Sequence, residues 1–298
     1  MTISWQGVMP ALLTPFTSKD QIDIKTFKKN TLEQLDAGVH GLVLGGTLGE
    51  ASTLREEEKS VLIKESKRLS NGRVPVIMNI AEASTADALK AVDQARIDGA
   101  DGLMVLPPMR YKADERETVQ YFKSIAMHSD LPIMIYNNPV DYGIEVTIPM
   151  FDELLKTDTI QAVKESTRLT SNITKLRNTF GNRLAILTGV DTIAFESLML
   201  GADGWVAGLV DAFPRETVEI YNLVKQGHFD RARAINNWFM PLLELDVNSK
   251  LVQNIKLAAM ATGIGTEHVR LPRLPLDGAE RQNVLKVIKQ SIENRPQL

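Results

Sequence analysis

The sequence predicts a (β/α)8 (TIM) barrel followed by a C-terminal three-helix extension. Three observations carry that expectation. Eight short apolar runs alternate with longer amphipathic segments along most of the chain. The runs lack polar alternation, as expected of parallel strands covered on both faces. A Gly-x-x-Gly signature recurs three times, each time just ahead of an apolar run.

In order, the candidate strands are Val8–Thr14, Gly41–Gly45, Val74–Ile80, Gly102–Leu106, Pro132–Tyr136, Ile160–Lys164, Leu184–Gly189 and Gly204–Gly208. Helices are expected between them. Thr53-x-x-Glu56 and Asp114-x-x-Glu117 read as capping boxes, and Val119, Phe122 and Ala126 follow the second at helical spacing. The other helices start near Lys25, Thr85, Ile148, Ser171, Asp191 and Arg215. The repeated signature is Gly38-Val-His-Gly41, Gly99-Ala-Asp-Gly102 and Gly201-Ala-Asp-Gly204. It reads as a helix ended by a left-handed glycine, a tight turn, then a buried strand. One copy alone is ordinary turn chemistry; three argue for one repeated αβ unit. An open doubly wound sheet usually has fewer strands, and no GxGxxG or P-loop fingerprint is present. The division expected is residues 1–226 for the barrel and 227–298 for the extension. The latter's helices would be Phe229–Leu243, Ser249–Thr262 and Gly278–Ile292, with a Pro-marked connection at Leu271–Leu276.

Composition narrows the function. Of 298 residues, 34 are basic and 37 acidic, a formal net charge of −3, so there is no cationic excess to neutralise a nucleic acid backbone. The chain has no cysteine, which excludes disulfides, thiolate metal sites and a cysteine nucleophile. The four histidines, His40, His128, His228 and His268, are scattered and read as surface or turn residues. No metal and no cofactor is expected. No apolar run is long enough to span a membrane, and the start MTISWQG lacks the basic and apolar regions of a signal peptide. The expectation is a cytoplasmic enzyme or binding protein for a small molecule.

In such barrels function sits at the C-terminal ends of the strands. The second run closes with Gly45-Gly46-Thr47-Leu48-Gly49-Glu50, whose successive N–H groups can cradle an anion such as a carboxylate; alone, it could equally be a glycine-rich turn. The fifth run closes with Tyr136-Asn137-Asn138-Pro139. Its phenol can shuttle protons if positioned, or be a core tyrosine bonded to backbone. The sixth closes with Lys164-Glu165-Ser166. Desolvation turns a buried lysine into an amine nucleophile, whereas a snorkelling lysine would only reach the rim. Gly189 and the glycines of the eighth run suggest room for substrate. Together, a lysine and a tyrosine on adjacent strands facing an anion loop suit imine chemistry on a 2-oxo acid.

With these residues the chain resembles the dihydrodipicolinate synthase / N-acetylneuraminate lyase family of class I Schiff-base enzymes, along essentially its whole length. The family's Gly-[Thr/Ser]-Thr-Gly-Glu corresponds to Gly46–Glu50, its Tyr-Asn-x-Pro to Tyr136–Pro139, and its Lys-[Glu/Asp]-[Ser/Ala] to Lys164–Ser166. The resemblance implies that Lys164 forms the Schiff base and Tyr136 relays protons. It also implies that Gly46, Thr47 and the Leu48 backbone bind the carboxylate, that Gly189 and Val206 line the pocket, and that the protein is a homotetramer.

Three departures bear on the substrate. Leu48 replaces the second hydroxyl of the anion loop. Met109 stands where dihydrodipicolinate synthases carry a relay tyrosine, with Tyr111 nearby. Asp141 stands where those synthases carry an arginine that grips the aldehyde's carboxylate, and the reversed charge opposes that substrate. Asp141 suits a cationic nitrogen instead. The stretches Tyr136–Pro139, Trp238–Leu243 and Pro272–Leu276 are similar to those of Δ1-pyrroline-4-hydroxy-2-carboxylate deaminases, which implies a cyclic ketimine carboxylate as substrate, with Asp141 or Tyr142 at its nitrogen. The rival readings are a pyruvate-dependent aldolase or dehydratase of a 2-keto-3-deoxy sugar acid, dihydrodipicolinate synthase itself, and a non-catalytic 2-oxo-acid sensor.

Overall fold

The computed structural model describes residues 3–108 and 111–298. Eight strands form one parallel sheet: β1 (Gly7–Pro10), β2 (Leu42–Leu44), β3 (Val76–Ile80), β4 (Gly102–Val105), β5 (Ile133–Asn137), β6 (Ile160–Glu165), β7 (Ala185–Thr188) and β8 (Gly204–Ala207). Their order is β1-β8-β7-β6-β5-β4-β3-β2. The two ends meet through a parallel bridge between Ala11 and Val43, reinforced by Leu12 N donating to Val43 O at 2.9 Å. The sheet therefore closes on itself as a (β/α)8 barrel.

Each expected run overlaps a strand, with β5 and β6 running one residue past theirs and the other six strands shorter than their runs. The first shows why. After Leu12 the chain leaves the ladder because other acceptors take its polar groups: Leu13 N donates to the Asp211 carboxylate and the Thr14 hydroxyl to Gly49 O. The repeated glycines Gly38, Gly99 and Gly201 have φ of 86°, 93° and 98°, the left-handed turn that the repetition implied.

The helices are α1 (Ile24–Asp36), α2 (Glu56–Ser70), α3 (Thr85–Ile97), α4 (Glu115–His128), α5 (Pro139–Tyr142), α6 (Ile148–Leu154), α7 (Ser171–Phe180), α8 (Ala194–Met199), α9 (Pro214–Lys225), α10 (Phe229–Leu243), α11 (Leu251–Ala261) and α12 (Gly278–Glu293). The box ahead of α4 forms as expected: Asp114 Oδ1 accepts from Glu117 N, and Glu117 Oε2 from Asp114 N. The box expected at Thr53 does not. Thr53 lies in a short 3-10 turn and donates to Glu50 O, and Arg55 takes the capping position, with its N–H bonded to Glu58. The one-turn helix α5 was not expected. Its Pro139 start and Gly143 stop, at φ 72°, fold it directly onto the mouth of the barrel.

Helices α10–α12 pack on the barrel wall. Phe239 lies 5.6 Å from Phe213, and Trp238 Nε1 donates to Ser291 O, tying α10 to α12. Arg270, ahead of α12, grips Glu58 with both guanidinium nitrogens and also donates to Thr53 O and Asp20 O. The segment after β2 is thus clamped between barrel and extension. Of the two readings for His40, surface or turn, the turn holds: it is half-buried at the bend before β2. His40 Nδ1 accepts from Val8 N, and its ring sits against the bare Cα of Gly7. No helix among the described residues is long and apolar enough to cross a membrane.

Candidate active site

Parallel register brings the two central side chains together. Tyr136 on β5 pairs with Lys164 on β6, so both point the same way, into the barrel. Lys164 Nζ lies 4.1 Å from the centre of the Tyr136 ring. Next in the strand, Glu165 points outward. Its carboxylate accepts from Thr167 N and from Asn137 Nδ2, which locks the ends of β5 and β6.

Burial pushes the Lys164 pKa below the ordinary lysine value, while Tyr142, Asp246, Asp191 and Asp141 pull the other way. The result is an amine more readily freed of its proton than a surface lysine. Burial pushes the Tyr136 phenol in the opposite direction, upward, so it stays protonated. Asn138 Nδ2 donates to its oxygen at 3.1 Å. That fixes the ring, as does the edge-on Tyr142 ring 5.6 Å away.

The loop after β2 faces these groups. Gly46, Thr47 and Leu48 line one cavity with Lys164, Tyr136 and Val206. Among the described residues, neither Thr47 N nor Leu48 N donates to a protein acceptor, which leaves both N–H groups for an anion. The Thr47 hydroxyl shares a 2.6 Å hydrogen bond with the Tyr142 phenol. The Lys164 cavity holds about 60 Å³; a chamber of about 450 Å³, lined by Thr47, Tyr142 and Arg273, adjoins it. Thr47 is common to both.

Two expectations need correction. Gly189 lines the cavity, but it does not leave room for substrate: a β-carbon there would meet Ser166 Oγ and lie 2.6 Å from Lys164 Cε, so the space is filled by the serine hydroxyl and the lysine. The space over Gly208 is filled likewise, by the Asp246 carboxyl, with Oδ1 2.7 Å from where a β-carbon would be. Tyr111 is 57% exposed and lines a different cavity, with Arg116 and Tyr121; the phenol that meets Thr47 is Tyr142. Met109 lies outside the described residues.

Asp141 caps α5. Its Oδ2 accepts from Asn138 Nδ2 at 2.7 Å, and its Oδ1 lies 3.8 Å from Arg168. Arg168 follows Lys164 on the same side of the cavity at φ 64° and was not foreseen. Its one signal was its place four residues beyond the lysine. Asp191 and Asp246 were also missed. Asp191, three residues past β7, accepts from Trp205 Nε1, Gly208 N and Leu209 N. Asp246 arrives from the loop between α10 and α11, too far along the chain for any motif to reveal it. Ser166 Oγ is buried beside Lys164 and close enough to the Tyr136 phenol to favour its charged form slightly.

Known proteins share this arrangement's frame. The profile of the dihydrodipicolinate synthetase family matches residues 4–291. A 4-hydroxy-tetrahydrodipicolinate synthase from Pelobacter propionicus is 30% identical over 96% of this chain and 98% of its own. One from Exiguobacterium sibiricum is 32% identical over 91% and 92%. Among solved structures, dihydrodipicolinate synthase from Aquifex aeolicus superposes with a TM-score of 0.91 at 28% identity, covering 96% and 97% of the two chains. The chloride-inhibited enzyme from Acinetobacter baumannii, complexed with pyruvate, gives 0.92 at 27%, covering 97% and 99%.

Proposed function

The chain belongs to the dihydrodipicolinate synthetase family and is a class I Schiff-base lyase, and from that premise we propose that its substrate is a cyclic ketimine carboxylate, best represented by Δ1-pyrroline-4-hydroxy-2-carboxylate. The observation that carries this reading is the Asp141 carboxylate, which lines the pocket beyond the carboxylate loop with Lys164. A substrate with one carboxylate and one basic nitrogen matches an N–H cradle on one side and a carboxylate on the other.

In this reading the carboxylate rests on the N–H groups of Thr47 and Leu48. Lys164, as free amine, attacks the ring C=N carbon, and transimination opens the ring. The protein-bound iminium acidifies the neighbouring C–H, and Tyr136 relays its proton. Loss of the 4-hydroxyl as water, tautomerisation and hydrolysis release ammonia and 2-oxoglutarate semialdehyde. Asp141 and Tyr142 stand where they can meet the opened amine.

A second reading is condensation of pyruvate with an aldehyde acid, as in the relatives named 4-hydroxy-tetrahydrodipicolinate synthase. Arg168 favours it, because it is a cation at the cavity wall that could grip a second carboxylate. Its partner Asp141 disfavours it. The experiment is ammonia release from Δ1-pyrroline-4-hydroxy-2-carboxylate, with Lys164→Ala as blank, beside condensation of pyruvate with aspartate semialdehyde. Condensation without ammonia release would overturn the first reading. Assembly as a homotetramer is likewise proposed, and sedimentation velocity tests it.

A further inference from the structure

We propose that Asp246, contributed by the loop between α10 and α11, is the acid that protonates the oxygen leaving the substrate carbon two bonds beyond the imine carbon. The inference rests on the ketimine reading above and adds to it the group that this reading leaves unassigned.

The placement is geometric. Asp246 lines the same cavity as Lys164 and Tyr136. Lys164 Cε lies over the bare Cα of Gly189 and Asp246 Oδ1 over that of Gly208. These glycines follow neighbouring strands, in which Thr188 pairs with Trp205. A substrate joined to Lys164 therefore has Asp246 beside its chain, not beside the new C=N bond. Tyr136, in register with the lysine, holds the position next to the imine.

The loop is held firmly enough to aim the group. Asp246 N donates to Leu243 O, and the buried Asn254 side chain donates to Leu245 O. Asp191, by contrast, is committed: Trp205 Nε1 and the N–H groups of Gly208 and Leu209 all donate to its carboxylate. Among the described residues, no side chain donates to Asp246. Burial and the nearby Asp191 charge push the Asp246 pKa well above the usual carboxylate range, with Lys164 and the backbone N–H of Asp191 opposing. The shift is toward the protonated carboxyl, the form an acid needs before it acts.

The step balances. Removal of the C3 proton leaves an electron pair that forms the C3=C4 bond. The C4–O bond breaks, and the Asp246 proton passes to the departing oxygen, giving water and the Asp246 carboxylate. The proton taken from C3 later restores the acid. Nothing is oxidised or reduced.

Asp246→Asn keeps the shape and removes the acid. Ammonia release from the ketimine is expected to fall about 100-fold or more. Borohydride capture of pyruvate on Lys164, and deuterium uptake into the pyruvate methyl group, should persist, since pyruvate has no C4 oxygen to expel. Near wild-type ammonia release in the variant would overturn the proposal. So would loss of pyruvate capture, which would make Asp246 a support for Lys164. If the wild type releases no ammonia, the ketimine reading fails. The same pair of proteins is then assayed for water loss from a 2-keto-3-deoxy sugar acid, whose hydroxyl sits on the equivalent carbon. Elimination by the wild type and not by Asp246→Asn upholds the role of Asp246, and elimination from neither substrate by the wild type ends it.

Discussion

Lys164 lies across Gly189 so closely that a β-carbon on the glycine would come within 2.6 Å of Cε and 2.7 Å of Cγ. The residue closing β7 thereby sets the path of the side chain from β6. Gly189→Ala is expected to push the amine off line. A displacement of about 1 Å at a reacting group costs on the order of 100-fold in rate, while overpacking costs folding about 1–3 kcal/mol. Mass spectrometry after borohydride treatment with pyruvate measures the first, and urea unfolding the second. Undiminished capture would show that the lysine has another route to the substrate.

The same burial fixes a pH dependence. Only the amine form of Lys164 attacks, so capture of pyruvate should rise with pH, through a midpoint below the ordinary lysine value of 10.5. Asp141 is among the charges that hold the ammonium. Asp141→Asn should therefore move the midpoint further down, and only slightly, because this carboxylate is about half exposed and screened. An upward shift would contradict the sign of the interaction.

Thr47 and Tyr142 behave as one unit if their 2.6 Å hydrogen bond holds the wall of the cavity. Thr47→Val and Tyr142→Phe each break it, and the double variant has nothing further to lose. Each single variant should lower kcat/KM about tenfold, and the double variant no more than the worse single one, a coupling of about 1–1.5 kcal/mol. Additive losses would mean the two hydroxyls serve the substrate separately.

How much of this was legible depended on whether the signal was local. Tyr136 and Lys164 end apolar runs on consecutive strands, so their meeting follows from parallel pairing once the barrel is assumed. The Gly46–Leu48 loop was legible for the same reason, as a glycine cluster at a strand end. Asp246 was not, because nothing in the pattern of α10 and α11 says that the loop between them reaches over Gly208. Tyr142 was singled out but given a different partner, because the one-turn helix α5 that aims it at Thr47 is too short to leave a periodic trace. The glycines at 189 and 208 were read as open space. A missing side chain shows that something comes close, but not whether that is a ligand or the protein's own lysine and aspartate.

The extension also bears on the anion loop through a buried ion pair. Lys256 on α11 donates to Glu50 Oε1 at 2.5 Å and to His268 O at 2.7 Å, with its ammonium 4.5 Å from the Phe16 ring centre. Glu50 is fully buried and directly follows the loop of Gly46–Gly49; its second oxygen accepts from Arg270 N. Lys256→Met removes one charge and leaves Glu50 buried without its closest partner, which costs about 3–5 kcal/mol. Pairing it with Glu50→Leu removes the stranded charge as well, so the double variant should regain much of that stability in urea unfolding. It should not regain pyruvate affinity, because Glu50 also anchors the turn that presents the Thr47 and Leu48 N–H groups. Full recovery of both would show that the pair serves stability alone.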